Sequence, residues 1–155
     1  MSFKRILVPV DFSPCSRRAL DVAVDLAREL GAKIDLLHAW TAPAYVSPYV
    51  AVQVSSEGPA KTLEDLAKEE ARKEMDRFLE GLTPPGAEPL GIRIEFGFEP
   101  DVILAAAKSY DLVVMGTHGR AGLAHLILGS VTERVLRRST TPVLTVHDSS
   151  PPAKH

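Results

Sequence analysis

The order of apolar runs along the chain is the feature that most constrains its fold. Short runs rich in branched aliphatic residues alternate with longer segments in which apolar residues recur at helical spacing. Strands are expected at residues 5–10, 33–40, 90–98, 111–115 and 142–147, and helices at residues 14–30, 62–82, 100–110 and 131–138. Because strands that alternate with helices form parallel crossovers, the sequence predicts an α/β fold with a doubly wound, five-stranded parallel sheet.

The first and fourth expected strands have the most continuous apolar sequences, which is typical of strands buried on both faces. We therefore expect them at the centre of a Rossmann-like single domain with the strand order 3-2-1-4-5. Sheets of this kind bind ligands where the strand order reverses. The sequence thus predicts a crevice between the loop that follows Asp11 and the loop that follows Gly116.

Length and composition fit one ordinary globular domain, expected over residues 1–147 with a flexible tail at 148–155. The formal net charge of -2 gives no reason to expect nucleic acid as a partner, and no apolar run is long enough to suggest a membrane span. Cys15 is the single cysteine, so an intrachain disulfide is impossible. A cytoplasmic location is the resulting expectation.

The segment at residues 41–59 differs in character from the rest of the chain. It interleaves prolines with small polar residues and contains Tyr45 and Tyr49. Long segments of this kind in compact domains are usually lids, binding loops or disordered stretches. We expect partial disorder here rather than a defined lid.

A glycine pattern stands between the fourth strand and the last helix. It reads Gly116-x2-Gly119-x9-Gly129, followed directly by Ser130. Glycines allow backbone N–H groups to approach a phosphate, and a helix N-terminus adds partial positive charge. The alternative is a set of tight turns without a ligand. Neither a P-loop nor a dinucleotide fingerprint is present, because the turn after the first strand contains no glycine.

The chain resembles the universal stress proteins, in the subgroup that carries a G-x2-G-x9-G-S/T nucleotide-binding motif. The resemblance rests on the glycine pattern and on residues 8–13, 36–39, 111–120, 129–132 and 141–146. It implies an ATP-binding α/β subunit that acts in stress response and commonly forms homodimers through its last strand. In this sequence the corresponding residues are Val143, Leu144, Thr145 and Val146.

The resemblance also implies which residues contact ATP. Adenine or ribose would meet Pro9, Val10, Asp11, Ala39 and Met115. Ribose and phosphates would meet Gly116, Thr117, His118, Gly119 and Arg120, and the phosphate tail would meet Gly129, Ser130, Val131 and Thr132. A Mg²⁺ or Mn²⁺ ion would be held mainly by the phosphates of ATP. Independently, a carboxylate such as that of Asp11 suits ribose hydroxyls, and hydroxyls at a helix start suit phosphate.

Catalysis is not the leading expectation. The glycine loop contains no lysine, and no acidic pair for a metal is evident beyond Asp11, whereas phosphoryl transfer depends on positioned cations. We therefore expect no catalytic residues and at most a weak ATPase. Two alternatives remain: an adenine-nucleotide α-hydrolase-like enzyme, which would need a glycine- and serine-rich loop after the first strand, and a dimerisation module that does not depend on nucleotide.

Overall fold

The computed structural model describes residues 2–86, 89–119 and 128–148. The strands are β1 (Arg5–Pro9), β2 (Lys33–Trp40), β3 (Ala51–Val52), β4 (Lys61–Thr62), β5 (Gly91–Phe96), β6 (Leu112–Gly116) and β7 (Val143–Val146). The helices are α1 (Pro14–Leu30), α2 (Leu63–Phe78), α3 (Glu99–Ala107) and α4 (Ser130–Arg138). Five parallel strands pair in the order β5-β2-β1-β6-β7. This order confirms the predicted doubly wound sheet.

The central strand β1 is buried on both faces. Ile6 and Val8 pack with α1 on one face, whereas Leu7 packs on the other face with Leu37 and Ile103. All three β1 side chains are fully buried. Burial of one such side chain stabilises the fold by about 1.5–3 kcal/mol, so β1 is a rigid support for the loop that follows it.

Both long helices start where the sequence supplies a cap. Ser13 accepts a hydrogen bond from the Ser16 N–H at the start of α1, and Thr62 forms a reciprocal capping box with Asp65 at the start of α2. The predicted extension of the second helix to residue 82 is wrong. It ends at Phe78, and Gly81 takes a φ of 74°, a left-handed conformation that a helix cannot contain.

The segment at residues 41–59 is predicted to be a long, partly disordered loop, and the structure places one short strand in it. Ala51 and Val52 pair antiparallel with Thr62 and Lys61, so a short two-stranded sheet links the segment to the start of α2. Tyr45 is 90% exposed. Within the described part of the chain, no helix has the length and hydrophobicity required to cross a membrane.

Candidate functional site

A cavity of about 410 Å³ lies at the carboxyl ends of β1 and β6, where the order of the strands reverses. This is the place at which the sequence predicts a ligand crevice. Most of the residues that were expected to contact a ligand line it. They are Pro9, Val10, Asp11, Ala39, Met115, Gly116, His118, Gly119, Gly129, Ser130, Val131 and Thr132.

Four further lining residues were missed by the sequence interpretation: Ser16, Leu37, Glu99 and Ile103. Leu37 stands two positions before Ala39 on β2, so the period of two along a strand could have found it. Glu99 and Ile103 are four positions apart on α3 and therefore share one helix face. No sequence pattern indicates that this face of α3 turns toward the cavity.

Among the described residues that were expected to contact the ligand, Thr117 is the exception. It is fully buried and does not line the cavity. Its Oγ1 lies 2.9 Å from Nδ1 of His118, 3.2 Å from Nδ1 of His147 and 4.0 Å from Sγ of Cys15. The side chain points toward the start of α1 and supports the loop from inside the protein. The other expected residue, Arg120, lies outside the described residues.

Asp11 occupies the turn between β1 and α1. Its Oδ1 accepts a hydrogen bond of 3.0 Å from the Ser13 N–H, which closes a short turn around Phe12. Phe12 has a φ of 64°, the left-handed conformation that residues with side chains rarely adopt. The turn places the Asp11 carboxylate at the cavity, next to the loop that carries Gly119.

Each glycine of the predicted motif makes a close approach within the protein. An added Cβ would stand 2.8 Å from Sγ of Cys15 at Gly116, and 2.6 Å from Oδ2 of Asp11 at Gly119. At Gly129 it would stand 3.2 Å from the carbonyl oxygen of Thr117. These contacts favour glycine at all three positions without any ligand, so the ligand must be argued from the cavity rather than from the spacing of the motif.

The helix α4 begins at the cavity, and no side chain of the described residues caps its start. Its N-cap is Gly129, and its first intrahelical bond runs from the Glu133 N–H to the Gly129 carbonyl oxygen over 2.9 Å. The N–H groups of the first helical turn have no partner inside the helix, and the helix dipole adds partial positive charge there. Ser130 and Thr132 belong to this turn. The arrangement can accept an anion.

The hydroxyl of Thr132 has a different role from the one expected. Oγ1 donates a 2.8 Å hydrogen bond to the carbonyl oxygen of Gly116, and the residue is buried. Its proton is therefore used to hold α4 against the end of β6. What Thr132 can offer a ligand is its backbone N–H.

The electrostatic character of the cavity is set by few groups. Two carboxylates, those of Asp11 and Glu99, and the imidazole of His118 line it, together with mostly apolar side chains. Neither lysine nor arginine occurs among its described lining residues. The described ranges also contain no cluster of three or more His, Cys, Asp or Glu side chains that could hold a metal ion.

Among the described residues, the side chains with a clearly shifted pKa lie away from the cavity lining. Burial raises the pKa of Tyr110, and the hydrogen bond from its hydroxyl to Asp35 acts in the same direction. Hydrogen bonds from the backbone N–H groups of Lys4 and Arg5 lower the pKa of Asp111. These groups tie strands together at the base of the sheet, opposite the cavity, and so bear on stability.

The fold and the cavity together define a doubly wound α/β domain with a ligand cavity at its switch point. The chain belongs to the universal stress protein family, whose model matches residues 2–147. This confirms the family predicted from the sequence.

Individual relatives cover most of the chain. A universal stress protein of Methanocaldococcus jannaschii is 33% identical over 150 residues, which span 93% of this chain and 82% of the relative. The universal stress protein YxiE of Bacillus subtilis is also 33% identical over 150 residues, spanning 93% and 99%. A universal stress protein whose crystal structure was solved in complex with cAMP is 28% identical, with a TM-score of 0.62 and coverage of 95% and 98%.

Proposed function

We propose that this protein binds an adenine nucleotide, with ATP as the expected ligand, in the cavity at the ends of β1 and β6. One observation carries the proposal: Asp11 is distant in sequence from the three motif glycines and from the start of α4, yet all of them meet around one cavity. In this role the protein is a nucleotide-responsive stress or signalling module.

The cavity offers a different surface to each part of the nucleotide. The side chains of Pro9, Leu37, Ala39 and Ile103 form an apolar region that suits the faces of an adenine ring. The carboxylate of Asp11 can accept hydrogen bonds from ribose hydroxyls. The first turn of α4 supplies N–H groups and partial positive charge for phosphates.

The relative solved with cAMP supports the adenosine part of the proposal. Cyclic AMP and ATP share the adenine ring and the ribose and differ in their phosphates. The 28% identity and the nearly complete coverage of both chains support a corresponding adenosine site in this chain.

A divalent cation would enter with the nucleotide rather than by itself. Carboxylate oxygens such as those of Asp11 and Glu99 are ligands that Mg²⁺ accepts, but Mg²⁺ usually takes only one or two of them and completes its shell with phosphates and water. The donor set therefore fits Mg²⁺ or Mn²⁺ bound mainly by ATP phosphates. When bound, the cation would neutralise phosphate charge beside the two carboxylates.

Hydrolysis is expected to be slow or undetectable. Efficient phosphoryl transfer needs cations and a positioned nucleophile around the γ-phosphate, and the described lining offers neither lysine nor arginine. We expect steady-state turnover of ATP below about 1 s⁻¹, the low end for ordinary enzymes. A faster rate with purified protein and Mg²⁺ would contradict this expectation and show that the protein is an enzyme.

The outer edge of strand β7 is the surface through which we expect a homodimer to form. In the described part of the chain this strand pairs with β6 on one side, and Leu144 on it is 38% exposed. An apolar strand at the edge of a sheet invites addition of another strand, and a second copy of Val143, Leu144, Thr145 and Val146 would provide one. Sedimentation over micromolar concentrations tests this, and a monomeric mass throughout would contradict it.

A second candidate function is dimerisation without nucleotide. It is favoured by one observation, namely that packing contacts favour glycine at all three motif positions without a ligand. Isothermal titration with Mg²⁺-ATP, cAMP and Mg²⁺-GTP separates the candidates. Nucleotide binding predicts saturable heat with ATP, and substitution Asp11→Asn should weaken it about tenfold or more, since hydrogen bonds to charged groups contribute about 1.5–3 kcal/mol.

The matched control is Asp25→Asn. Asp25 lies on α1 with its side chain 78% exposed and is not a cavity residue, so this substitution should leave the affinity unchanged. If no heat develops at millimolar nucleotide while the protein remains folded, the nucleotide proposal fails and the dimerisation module is the better account.

A further inference from the structure

His38 contacts both chain neighbours of Asp11. Its Nδ1 lies 2.9 Å from the carbonyl oxygen of Val10, and its ring lies 4.4 Å from the ring of Phe12, centroid to centroid. A carbonyl oxygen can only accept, so Nδ1 of His38 carries the proton and donates it. One imidazole therefore holds the peptide before Asp11 and the side chain after it.

The imidazole acts from the opposite face of the sheet. Leu37 and Ala39 point from β2 into the cavity, and His38 between them points to the other face because side chains alternate along a strand. There the Phe12 ring also packs edge-on against Phe78, at 5.7 Å between centroids. His38 is not a cavity residue, and any effect it has on a ligand must pass through the turn that carries Asp11.

The turn needs such support because its backbone is strained. Phe12 has a φ of 64°, which is unfavourable for a residue with a side chain and persists only where surrounding contacts impose it. In this conformation the Ser13 N–H reaches Oδ1 of Asp11 at 3.0 Å. If Phe12 relaxed to an ordinary φ, this hydrogen bond and the direction of the carboxylate would both change.

We propose that His38 is a positioning residue for the Asp11 carboxylate. It fixes Val10 by a hydrogen bond and Phe12 by ring packing, so that the strained turn presents the carboxylate to the nucleotide. The inference rests on the proposed function and names a residue outside the cavity that determines how well the cavity binds ribose.

The test is a double-mutant cycle. His38→Phe keeps an aromatic ring against Phe12 but removes the donor to Val10, and Asp11→Asn removes the charge that His38 is proposed to position. We expect His38→Phe to raise the Kd for Mg²⁺-ATP about tenfold in the wild-type background, the effect of one lost hydrogen bond with its acceptor left unpaired. In the Asp11→Asn background the same substitution should raise Kd less than about twofold, because coupled residues are not additive.

Two further variants test the same proposal. His38→Asn retains an N–H donor at the position of Nδ1 and should recover most of the lost affinity. If His38→Phe does not fold, Phe12→Ala tests the other contact and should show the same dependence on Asp11. Equal losses in both Asp11 backgrounds, or no loss in either, would overturn the positioning role and leave His38 as a packing residue.

A readout without nucleotide separates this inference from the proposed function. In the free protein, hydrogen exchange of the Ser13 amide reports its bond to Asp11, and the Ala32 amide, bonded to Ala27 at the far end of α1, is the reference. His38→Phe should speed exchange at Ser13 about tenfold relative to Ala32. Unchanged exchange at Ser13 overturns the positioning role even if ATP binds. Absence of ATP binding with faster exchange overturns the proposed function alone.

Discussion

The carboxylate of Asp11 and the backbone of Gly119 lie against each other at the edge of the cavity, so close that a Cβ on Gly119 would stand 2.6 Å from Oδ2. This contact joins the loop after β1 to the loop after β6. The two loops flank the switch point of the sheet, and their distance sets the width of the cavity at that point. A methyl group on Gly119 would disturb this contact directly.

Gly119→Ala should therefore weaken ATP binding. The new methyl group must displace the Asp11 carboxylate, the movable end of its side chain. The cost therefore falls mainly on the hydrogen bonds that this carboxylate accepts from a ligand, and hydrogen bonds to a charged group contribute about 1.5–3 kcal/mol. We expect an increase in Kd of about tenfold or more by isothermal titration. The global unfolding temperature should change little, because the loop is at the rim of the fold.

Gly86→Ala is the matched control for that substitution. A Cβ on Gly86 would meet no atom within 4 Å, and its backbone does not require glycine. Its affinity for ATP should equal that of the wild type. If Gly119→Ala also bound ATP with unchanged affinity, the contact with Asp11 would have no role in the site.

Thr132→Val should destabilise the protein. The substitution keeps the shape of the side chain but removes the 2.8 Å hydrogen bond to the carbonyl oxygen of Gly116. A buried acceptor left unpaired costs about 1–3 kcal/mol. Urea unfolding should show this loss in the free energy of unfolding. Thr132→Ser keeps the hydroxyl and loses one methyl group, about 0.8 kcal/mol, and an equal or larger loss for serine would contradict the assignment.

The hydroxyl of Thr117 should couple the imidazoles of His118 and His147. It has one proton, so it can donate to only one of the two Nδ1 atoms that lie 2.9 and 3.2 Å away. When both rings are neutral, at least one must carry its proton on Nδ1. Side-chain ¹⁵N NMR under conditions in which both rings are neutral should show that tautomer, and Thr117→Val should reduce it. Two rings protonated mainly on Nε2 in the wild type would contradict the geometry.

Asp111 should contribute to stability at neutral pH and lose that contribution in acid. Hydrogen bonds from the Lys4 and Arg5 N–H groups lower its pKa below the ordinary 3.8. A carboxyl with a lower pKa in the folded state stabilises the fold fully above the unfolded value. The contribution disappears as the pH falls from about that value through the lower pKa of the folded state.

The measurement for Asp111 is urea unfolding of the wild type and of Asp111→Asn across this range. The stability gap between the two proteins should be largest near neutral pH and should shrink in acid below the ordinary carboxyl pKa. Asp25→Asn, whose side chain is 78% exposed, is the control and should show little gap at any pH. A gap for Asp111 that stays constant with pH would contradict the assignment.

The layout of the fold could be predicted from the sequence because its signals are local. The continuous apolar run of β1 and the cap at Ser13 with Pro14 mark a buried strand and a helix start without tertiary information. The switch-point rule then places Asp11 and the glycine loop at the same end of the sheet.

The parts that could not be predicted depend on packing between distant elements. Glu99 and Ile103 line the cavity because α3 is rotated toward it, and no local pattern encodes that rotation. The left-handed conformation of Phe12 could not be predicted either, because phenylalanine rarely adopts it. Here it occurs with the Phe12 ring packed against His38, a residue distant in sequence. Thr117 matched a motif position, but its side chain turned inward.

The central claim, that this cavity holds an adenine nucleotide, is tested most directly by ¹H–¹⁵N NMR titration of the protein with Mg²⁺-ATP. The account predicts saturable shifts concentrated at the amides of Ala39, Gly116, Gly119, Gly129 and Ser130, with the amides of α2 unchanged. No shifts at millimolar ATP, or shifts centred on α2 or on the β3–β4 pair, would contradict it.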